Sequence, residues 1–384
     1  MSGKRVLIVG AGLTGSVIAR ELAEAGVPSL VIDKELFIGG LCHSRRDEET
    51  GVDVHVFGPH IFNTSNERVW EYVQKFDRFA PWINRVKASN AKGVFSFPIN
   101  LHTINQLFNA RLTPEQAVKF IDEQRDKSII TPKNAEEKLL SMVGREIYET
   151  FFKGYTIKQW GVSPTELSPD ILKRIPVRFN YDDNYYFSRY QGFPMSGYTQ
   201  WITNMLTHPL IEIKLGVNYE KAMNDEFLHV FYAGPLDEYF NYIEGDLGYR
   251  TVTFEAVRGK FEQQGCGCIN YSDLSVPYTR AHEHNYFSPW EKHEKSIILQ
   301  EFSHESTRDS AKIYPKRMDK DMAILEKYMP HIENEKGVSF IGRLGCYRYL
   351  DMQQCILMAL TYSETWLQWY KKELSILPKM PIEC

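Results

Sequence analysis

The chain opens with glycines and a carboxylate whose spacing could bind a nucleotide. An apolar run leads into GAGLTG at 10–15, an apolar helical pattern follows, and a second apolar run ends at Asp33. In such a unit Gly10 would permit a tight turn, Gly12 would let amides approach a pyrophosphate, and Gly15 would let the helix pack closely. Asp33 would accept a ribose hydroxyl. These residues predict a dinucleotide site, against the alternative of a glycine turn in an ordinary βαβ unit.

Three further features favour FAD over NAD. Gly39 and Gly40 follow the acidic residue closely and add bare backbone near the phosphates. No second glycine fingerprint occurs, although an enzyme that binds both FAD and NADPH through paired units would usually show one. A strand–loop–helix pattern also returns near the C-terminus, over 338–369.

The returning segment carries its own candidate cofactor residues. Asp351 and Met352 would open the last helix, whose N-terminal amides could point at the flavin C2 carbonyl and favour an anionic reduced flavin. Arg343 could neutralise the pyrophosphate through paired hydrogen bonds. A surface salt bridge is the alternative for Arg343.

Composition excludes several classes of protein. The 384 residues carry a formal net charge of −4, without the basic face of a nucleic-acid-binding protein. The six cysteines show neither a disulfide framework nor zinc spacing, so we expect free thiols and no metal site. No window of eighteen apolar residues occurs, and we expect a soluble cytoplasmic protein without a membrane partner.

The rest of the chain divides by its patterns. Helix starts at Thr113-Pro114, Asn134 and Ser168-Pro169 predict a helical insert, with one helix continuing through Phe152. Alternating and aromatic-rich stretches near 86–98, 180–205 and 250–305 predict an antiparallel sheet. The apolar run 227–233 fits a buried parallel strand returning to the first domain.

The expected fold class is therefore α/β, a discontinuous Rossmann-like FAD domain with an inserted helical domain and an antiparallel β-sheet domain. The expected boundaries are 1–80, 206–245 and 325–384 for the FAD-binding domain, 101–180 for the helical substrate-binding domain, and 81–100, 181–205 and 246–324 for the sheet domain.

Several local strings carry a family resemblance. They are HIF at 60–62, FKGYTIKQWG at 152–161, RIPVRF at 174–179, DDNY at 182–185, VPYTR at 276–280, GRL at 342–344 and YRYLDM at 347–352. Over nearly its full length the chain resembles the bacterial UDP-galactopyranose mutase family, whose close relatives include dTDP-fucopyranose mutase. The resemblance implies an FAD domain, a helical domain and a six-stranded antiparallel sheet.

The resemblance also implies a reaction. The family contracts UDP-galactopyranose to UDP-galactofuranose, with no net redox change but with a requirement for reduced flavin. Flavin N5 attacks the anomeric carbon, UDP leaves, the sugar adduct opens and recloses as a five-membered ring, and UDP returns. The family is commonly dimeric, which implies a homodimer, and it serves cell-surface polysaccharide biosynthesis.

Site residues follow from the matched motifs. Arg174 and Arg280 are implied to clamp the diphosphate, with surface ion pairs as the alternative. A mobile loop near 171–180 is implied to bring Arg174 over the substrate. His60 is implied to lie beside the flavin and is the one side chain that we name as a candidate general base, with flavin N5 or the substrate phosphate as the alternative proton acceptor. The implied substrate contacts are Asn84, Phe151, Tyr155, Thr156, Gln159, Trp160, Tyr181, Tyr185, Asn270, Tyr314 and Tyr349.

Tyr155 is implied to stack on uracil. Phe151, Tyr155 and Gln159 recur at helical spacing, and core packing is the alternative for that stripe. From the fingerprint and the resemblance together, the predicted cofactor contacts are Gly10, Gly12, Thr14, Gly15, Asp33, Lys34, Gly39, Gly40, Leu41, His60, Ile61, Arg343, Leu350, Asp351 and Met352.

Three departures from the family pattern are either neutral or the mark of a different sugar. Asn63 stands where relatives usually have His, Leu41 where they usually have Asn, and Cys346 where Thr is common. Pro59 stands where relatives active on the N-acetylated sugar tend to carry Arg, which argues against that substrate. A 6-deoxy sugar suits a site with fewer polar groups, so dTDP-fucose is the alternative to UDP-galactose. The competing classes are a flavin amine or porphyrinogen oxidase and a non-enzymatic flavoprotein.

Overall fold

The structure is a computed structural model that describes residues 5–169, 177–377 and 379. The strands of the described residues are β1 (Val6–Val9), β2 (Ser29–Asp33), β3 (Ser44–Arg46), β4 (Asp53–His55), β5 (Phe62–Thr64), β6 (Phe79–Pro81), β7 (Val86–Asn90), β8 (Gly93–Phe97), β9 (Tyr190–Pro194), β10 (Ile211–Leu215), β11 (Val230–Tyr232), β12 (Tyr249–Lys260), β13 (Cys268–Tyr271), β14 (Arg280–Glu283), β15 (Lys295–Glu305), β16 (Tyr314–Pro315) and β17 (Val338–Phe340).

The helices of the described residues are α1 (Leu13–Glu24), α2 (Glu67–Val73), α3 (Leu101–Leu107), α4 (Pro114–Gln124), α5 (Ala135–Ile147), α6 (Gly154–Trp160), α7 (Tyr198–Leu206), α8 (Leu236–Tyr239), α9 (Asp319–Asn334), α10 (Gly342–Gly345) and α11 (Met352–Tyr370). In the described part of the chain, none of these helices combines the length and the apolar character needed to cross a membrane.

A five-stranded parallel sheet in the order β10-β2-β1-β11-β17 forms the centre of the nucleotide-binding part. Strands β1, β2, β11 and β17 are buried on both faces, which explains their mostly apolar character. The edge strand β10 alternates instead, with Glu212 and Lys214 exposed. Val6 and Ile8 face a core layer with α1, α7 and α11, whereas Leu7 and Val9 face a layer with α8 and α9. The predicted return of the chain near residue 230 is confirmed, because β11 lies between β1 and β17.

The large second sheet differs from the expected one. It has seven strands in the order β16-β12-β15-β14-β13-β7-β8, and β13 pairs with β7 in parallel. The expectation of a six-stranded antiparallel sheet was therefore wrong in the number of strands and in this one parallel pair. The predicted hairpin near 86–98 is present as β7 and β8, and long-range pairing with β13 sets the one parallel edge.

Residues 190–205, which were expected to belong to that sheet, lie elsewhere. β9 pairs with β5 and β6 in a separate three-stranded antiparallel sheet. α7 then packs in the core layer beside α1 through Tyr198, Trp201, Ile202 and Met205, which recur at helical spacing. The remaining domain boundaries stay a prediction.

The helical part follows its sequence signals at the starts. Thr113 caps α4 and Asn134 caps α5, as predicted. The helix expected to continue through Phe152 is interrupted, because Gly144 adopts φ 77° and ψ 173° and residues Tyr148–Lys153 form a wider π-helical turn. A Cβ at Gly144 would lie 2.3 Å from the carbonyl oxygen of Gln124, so the close approach of α4 requires glycine there. The start predicted at Ser168-Pro169 runs into residues outside the described ones.

Candidate active site

The turn between β1 and α1 forms a cradle of bare backbone. Gly10 has φ 112° and donates its N–H to the carbonyl of Ile32 at 2.8 Å. A Cβ at Gly15 would lie 2.1 Å from the carbonyl oxygen of Gly10, so no side chain fits there. α1 begins after Gly12 with no side-chain cap and no acidic residue in its first turn. Its N-terminal amides are therefore available to an anion.

Asp33 ends β2 beside this cradle. Its Oδ2 accepts the N–H of Ala11 at 2.8 Å, and its Oδ1 accepts the N–H of Glu35 at 2.9 Å. Burial raises the pKa of Asp33, while the two backbone donors oppose that rise. Each carboxylate oxygen keeps a further lone pair, so the fixed carboxylate can still accept a hydroxyl. Lys34 follows it at the cavity wall, 3.6 Å from Glu238.

The second glycine pair touches the first. Gly39 has φ 112° and forms an isolated β-bridge with Gly12. Gly40 has φ 53°, and a Cβ on it would lie 3.0 Å from the Cα of Gly12. Two stretches of backbone thus meet where side chains would keep them apart, and Leu41 continues the wall from there.

The C-terminal segment closes the opposite side. Gly342 has φ 72°, and a Cβ on it would lie 3.0 Å from Thr14 Oγ1. Arg343 donates through Nε to the carbonyl of Leu350 at 2.8 Å and through Nη1 to the carbonyl of Ile313 at 3.3 Å. Its guanidinium is thus held by carbonyls and is half-buried, unlike the surface salt bridge that was its alternative. α11 begins at Met352, as predicted, and its cap Asp351 accepts the N–H of Gln354 at 2.9 Å.

These elements enclose a cavity of about 950 Å³. Its size and its bare amide lining fit a dinucleotide cofactor. The predicted cofactor residues that line it are Gly10, Gly12, Thr14, Gly15, Asp33, Lys34, Gly39, Gly40, Leu41, His60, Arg343 and Met352. Ile61, Leu350 and Asp351 lie next to lining residues, with Ile61 and Leu350 buried.

One end of this cavity carries no motif in the sequence. Tyr219, Tyr239 and Asn241 line it together with residues 308–312 of the segment between β15 and β16. Tyr239 ends the short helix α8, the others come from connecting segments, and only the folded chain brings them to the cofactor cradle.

His60 lies at the cavity wall in a neutral form. Burial, with the charges of Arg343 and Arg280, lowers its pKa to about 4, although the hydrogen bond to the Gly58 carbonyl opposes the shift. Its Nδ1 lies 2.6 Å from the carbonyl oxygen of Gly58, which can only accept, so Nδ1 carries the proton. Nε2 therefore holds a lone pair and can accept a hydrogen bond or a proton.

Arg280 is anchored by a carboxylate that sequence analysis did not identify. Arg280 on β14 stands opposite Glu301 on β15, and its Nε and Nη2 donate to Oε1 at 3.0 and 2.7 Å. His282 lies 3.1 Å from the other oxygen, Oε2. Burial raises the pKa of Glu301, but Arg280 and His282 outweigh burial and lower it to about 2. Glu301 is thus a fixed anion, and within the described residues Nη1 of Arg280 has no protein acceptor.

Tyrosine hydroxyls surround this guanidinium. The charge of Arg280 acts on the hydroxyls of Tyr155, Tyr185 and Tyr314. Burial raises the pKa of all three, so they stay protonated and can donate. Tyr349 stacks on Tyr314 with ring centroids 5.6 Å apart. The Arg343 guanidinium lies 5.2 Å from the Tyr314 ring and so joins this cluster to the cofactor cavity.

The other predicted substrate residues fall into two groups. Asn84 and Asn270 belong to this region, since the Asn84 carbonyl accepts the Tyr185 N–H at 2.8 Å and Asn270 is the strand partner of Arg280. Phe151 packs edge-on against Phe95 in the core, as the core-packing alternative predicted.

Thr156 is buried, and Trp160 packs against the same core. The main-chain carbonyl of Gln159 accepts a hydrogen bond from Ser303 Oγ at 2.8 Å. The Tyr181 side chain is 68% exposed. Arg174 and most of the loop near 171–180 lie outside the described residues.

Of the departures from the family pattern, Leu41 lies in the cavity wall. Asn63 sits on β5, where its Oδ1 accepts Ser188 Oγ at 2.8 Å and its Nδ2 donates to the Ile61 carbonyl at 3.2 Å. Cys346 is buried with its Sγ 3.3 Å from the Phe340 carbonyl oxygen. Leu41 is therefore the departure with direct access to a bound ligand.

Comparisons with known proteins agree with this geometry. A family model described as UDP-galactopyranose mutase matches residues 150–349, and one described as an NAD(P)-binding Rossmann-like domain matches residues 8–76. The chain is 49% identical over 367 residues to the probable UDP-galactopyranose mutase of Klebsiella pneumoniae, covering 96% of each chain. The chain belongs to the UDP-galactopyranose mutase family. It is an isomerase of that family's type, and the predicted family is confirmed.

Other UDP-galactopyranose mutase family relatives and structures are also similar. The dTDP-fucopyranose mutase of Escherichia coli is 45% identical over 372 residues, covering 95% of this chain and 98% of that one. A crystal structure of reduced UDP-galactopyranose mutase superposes with a TM-score of 0.77 at 16% identity, covering 96% and 95% of the two chains. Putrescine oxidase gives a TM-score of 0.57 at 12% identity. These structural likenesses confirm the α/β fold class with its Rossmann-like domain.

Proposed function

We propose that the protein binds FAD and, with the flavin reduced, interconverts the pyranose and furanose forms of a nucleotide sugar, with UDP-galactose as the first candidate. The observation that carries the proposal is the position of Arg280. Its partly buried guanidinium lies among tyrosine hydroxyls, and Arg343 connects that cluster to a cavity whose far wall is the dinucleotide cradle. A diphosphate leaving group and a flavin could thus be held side by side.

FAD fits the cavity on the residues present. The amides of the first turn of α1 would hold the pyrophosphate, and Asp33 would accept the ribose hydroxyl. When bound and reduced, the flavin supplies a nucleophilic nitrogen, N5, for the anomeric carbon, so that the reaction needs reduced flavin without net redox change.

The chain's own residues would stabilise the leaving group. Arg280 would donate through Nη1 to a phosphate oxygen, while Glu301 holds the guanidinium in place. Negative charge grows on the diphosphate as the bond to the sugar breaks, so this contact strengthens in the transition state. Tyr185, Tyr314 and Tyr349 would add neutral hydroxyl donors, and Tyr155 would contact the base.

His60 would act as an acceptor and not as an acid. Its neutral ring carries the proton on Nδ1, so the Nε2 lone pair could take a proton from the ring-closing hydroxyl. Arg174 would complete the clamp from the loop near 171–180, and closure of that loop would keep water from the reacting sugar.

The test is turnover by purified, flavin-loaded protein. UDP-galactofuranose and dTDP-fucofuranose are incubated with dithionite-reduced and with oxidised enzyme, and the products are separated by chromatography. We expect conversion to the pyranose form by the reduced enzyme alone. Equal turnover by oxidised enzyme contradicts the proposed role of reduced flavin, and no turnover of either sugar contradicts the mutase proposal.

The same experiment decides between sugars. The second candidate, dTDP-fucose, is favoured by the 45% identity to dTDP-fucopyranose mutase and by the apolar Leu41 in the cavity wall, since a 6-deoxy sugar offers one hydroxyl fewer. A larger kcat/KM for dTDP-fucofuranose would assign that substrate.

A further inference from the structure

Lys158 on α6 sits in a cage of backbone carbonyls. Its Nζ donates to the carbonyl oxygens of Tyr271, Asp273, Val276 and Tyr278 at 2.8, 2.9, 2.9 and 2.8 Å. An ammonium has three N–H donors, so four converging oxygens exceed its hydrogen-bonding capacity. The arrangement is that of a monovalent cation coordinated by carbonyl dipoles, with the lysine as the resident cation.

The cage belongs to the turn between β13 and β14, and two further contacts fasten that turn to the helical part. Ser272 Oγ donates to the carbonyl of Thr150 at 2.7 Å. A Cβ at Gly154 would lie 2.1 Å from the carbonyl oxygen of Ser272, so the start of α6 rests directly on the turn. The Lys158 ammonium reaches four main-chain carbonyls of β13 and the turn at once.

The two elements that Lys158 joins carry opposite walls of the proposed substrate site. β13 and β14 hold Asn270 and Arg280 as strand partners, and α6 holds Tyr155 three residues before the lysine. We propose that Lys158 is a positioning residue, a built-in monovalent cation that fixes the β13–β14 turn to α6 and so holds Arg280 opposite Tyr155. Its effect on turnover rests on the proposed function, whereas the cation site itself does not.

The four-carbonyl cage requires the positive charge of the Lys158 ammonium as well as its hydrogen bonds. Four carbonyl dipoles aimed at one point repel each other unless a cation lies between them. Burial lowers the pKa of Lys158 to about 8 and the Asp273 carboxylate opposes that change, so the ammonium form still predominates at neutral pH. The Arg250 guanidinium donates to the main-chain carbonyl of Lys158 at 3.5 Å, and the rings of Tyr271 and Tyr278, whose carbonyls belong to the cage, pack against each other.

The test compares Lys158→Ala, Lys158→Met and Lys153→Ala with wild type, all as flavin-loaded protein. Lys153 is an exposed lysine just before α6 and serves as the matched control. Tm is measured in ammonium chloride, potassium chloride, sodium chloride and choline chloride at constant ionic strength. Lys158→Ala leaves room for a free cation, whereas Lys158→Met fills the space with an uncharged side chain.

We expect ammonium and potassium to raise the Tm of Lys158→Ala by roughly 2 °C or more over its value in choline. The Tm of wild type, Lys158→Met and Lys153→Ala should not depend on which of these cations is present. If Lys158→Ala responds to the salts as wild type does, the cation site is refuted. Should Lys158→Ala purify folded only in ammonium, that outcome supports the site.

Turnover supplies the second measurement. Both Lys158 variants should lose on the order of 10–100-fold in kcat/KM, because a displacement of about 1 Å in Arg280 is costly. Ammonium should restore Lys158→Ala and not Lys158→Met, and Lys153→Ala should match wild type. A folded Lys158→Met with wild-type kcat and KM refutes the positioning role. If wild type converts no nucleotide sugar, the proposed function fails while the Tm experiment still decides the cage.

Discussion

The orientation of the Arg280 guanidinium is fixed by the Glu301 carboxylate. Glu301 is buried and takes two of the guanidinium nitrogens on one oxygen, while His282 lies against the other. Such a buried pair is costly to form but is fixed once formed, because removing either partner leaves an unpaired charge. The guanidinium is therefore oriented before any ligand arrives, which reduces the reorganisation needed to meet a phosphate.

This orientation makes Arg280→Lys informative. Lysine keeps a positive charge for Glu301 but loses the planar fork that serves the carboxylate and a phosphate together. We expect kcat/KM for the nucleotide sugar to fall by on the order of 2–4 kcal/mol of transition-state stabilisation, measured with reduced enzyme. Arg258→Lys, on β12 at the pair with Asp47, is the control and should stay near wild type. Near-wild-type kinetics of Arg280→Lys would discard the clamp.

Among single residues, the sequence identified Arg280 but not the carboxylate that anchors it. Arg280 and Tyr155 stand in motifs and could be proposed from the chain alone. Glu301 could not, because strand pairing between β14 and β15 brings it to Arg280 and nothing in its local sequence marks that pairing. Phe151 shares a helical stripe with Tyr155, yet it packs in the core, and periodicity alone does not separate the two environments.

Among the elements, the junction of β1 and α1 depends on two glycines for different reasons. A Cβ at Gly15 would overlap the Gly10 carbonyl at 2.1 Å, whereas a Cβ at Gly12 would meet its nearest atom, the Gly40 Cα, at 3.7 Å. Gly12 has an ordinary φ of −83° and lines the cavity. The first glycine is thus required by the protein itself, and the second mainly by the pyrophosphate.

The pair Gly12→Ala and Gly15→Ala separates these roles. Gly12→Ala should fold with little loss of Tm but retain clearly less flavin, because the added methyl occupies space at the phosphate site. Gly15→Ala should be strongly destabilised or fail to fold, because backbone cannot move away from the new atom. Flavin absorbance per protein and Tm are the two measurements. Full flavin content in Gly12→Ala would contradict the proposed placement of the pyrophosphate.

Local sequence signals predicted the boundaries of helices and strands well where capping residues or glycines determine those boundaries. The starts of α4, α5 and α11 and the β1–α1–β2 unit follow from residues within a few positions of each boundary. The parallel pairing of β13 with β7 and the separate sheet around β9 did not follow, because strand partners lie far apart in the chain and alternation alone does not name them.

On the scale of the whole molecule, buried histidines couple stability to pH. Burial lowers the pKa of His229 to about 3 from 6.5, and His60 and His284 are shifted in the same direction. The unfolded chain then binds protons that the folded chain excludes, so stability falls as pH drops from about 6.5 towards 4. Each fully shifted histidine contributes up to roughly 1.4 kcal/mol per pH unit in that window.

His229 offers a test remote from the proposed site. It lies next to β11, with Nε2 2.8 Å from Ser339 Oγ. His229→Gln should make the unfolding free energy fall less steeply between pH 6.5 and 5, because about one proton fewer is taken up on unfolding. The substitution should also lower stability at neutral pH through lost packing. Denaturant unfolding at several pH values measures the slope. An unchanged slope would mean that His229 already protonates in the folded protein.

The order of strands in the parallel sheet has a consequence for biosynthesis. β1, β2, β10 and β11 are synthesised before β17 at Val338–Phe340 and the helices that follow it. The cradle for the cofactor therefore stays open on one side until residues 338–352 have been translated, and a chain stopped before residue 338 cannot close it. Flavin capture is expected only after this segment has been made, and until then the edge of β11 that pairs with β17 stays without its partner strand.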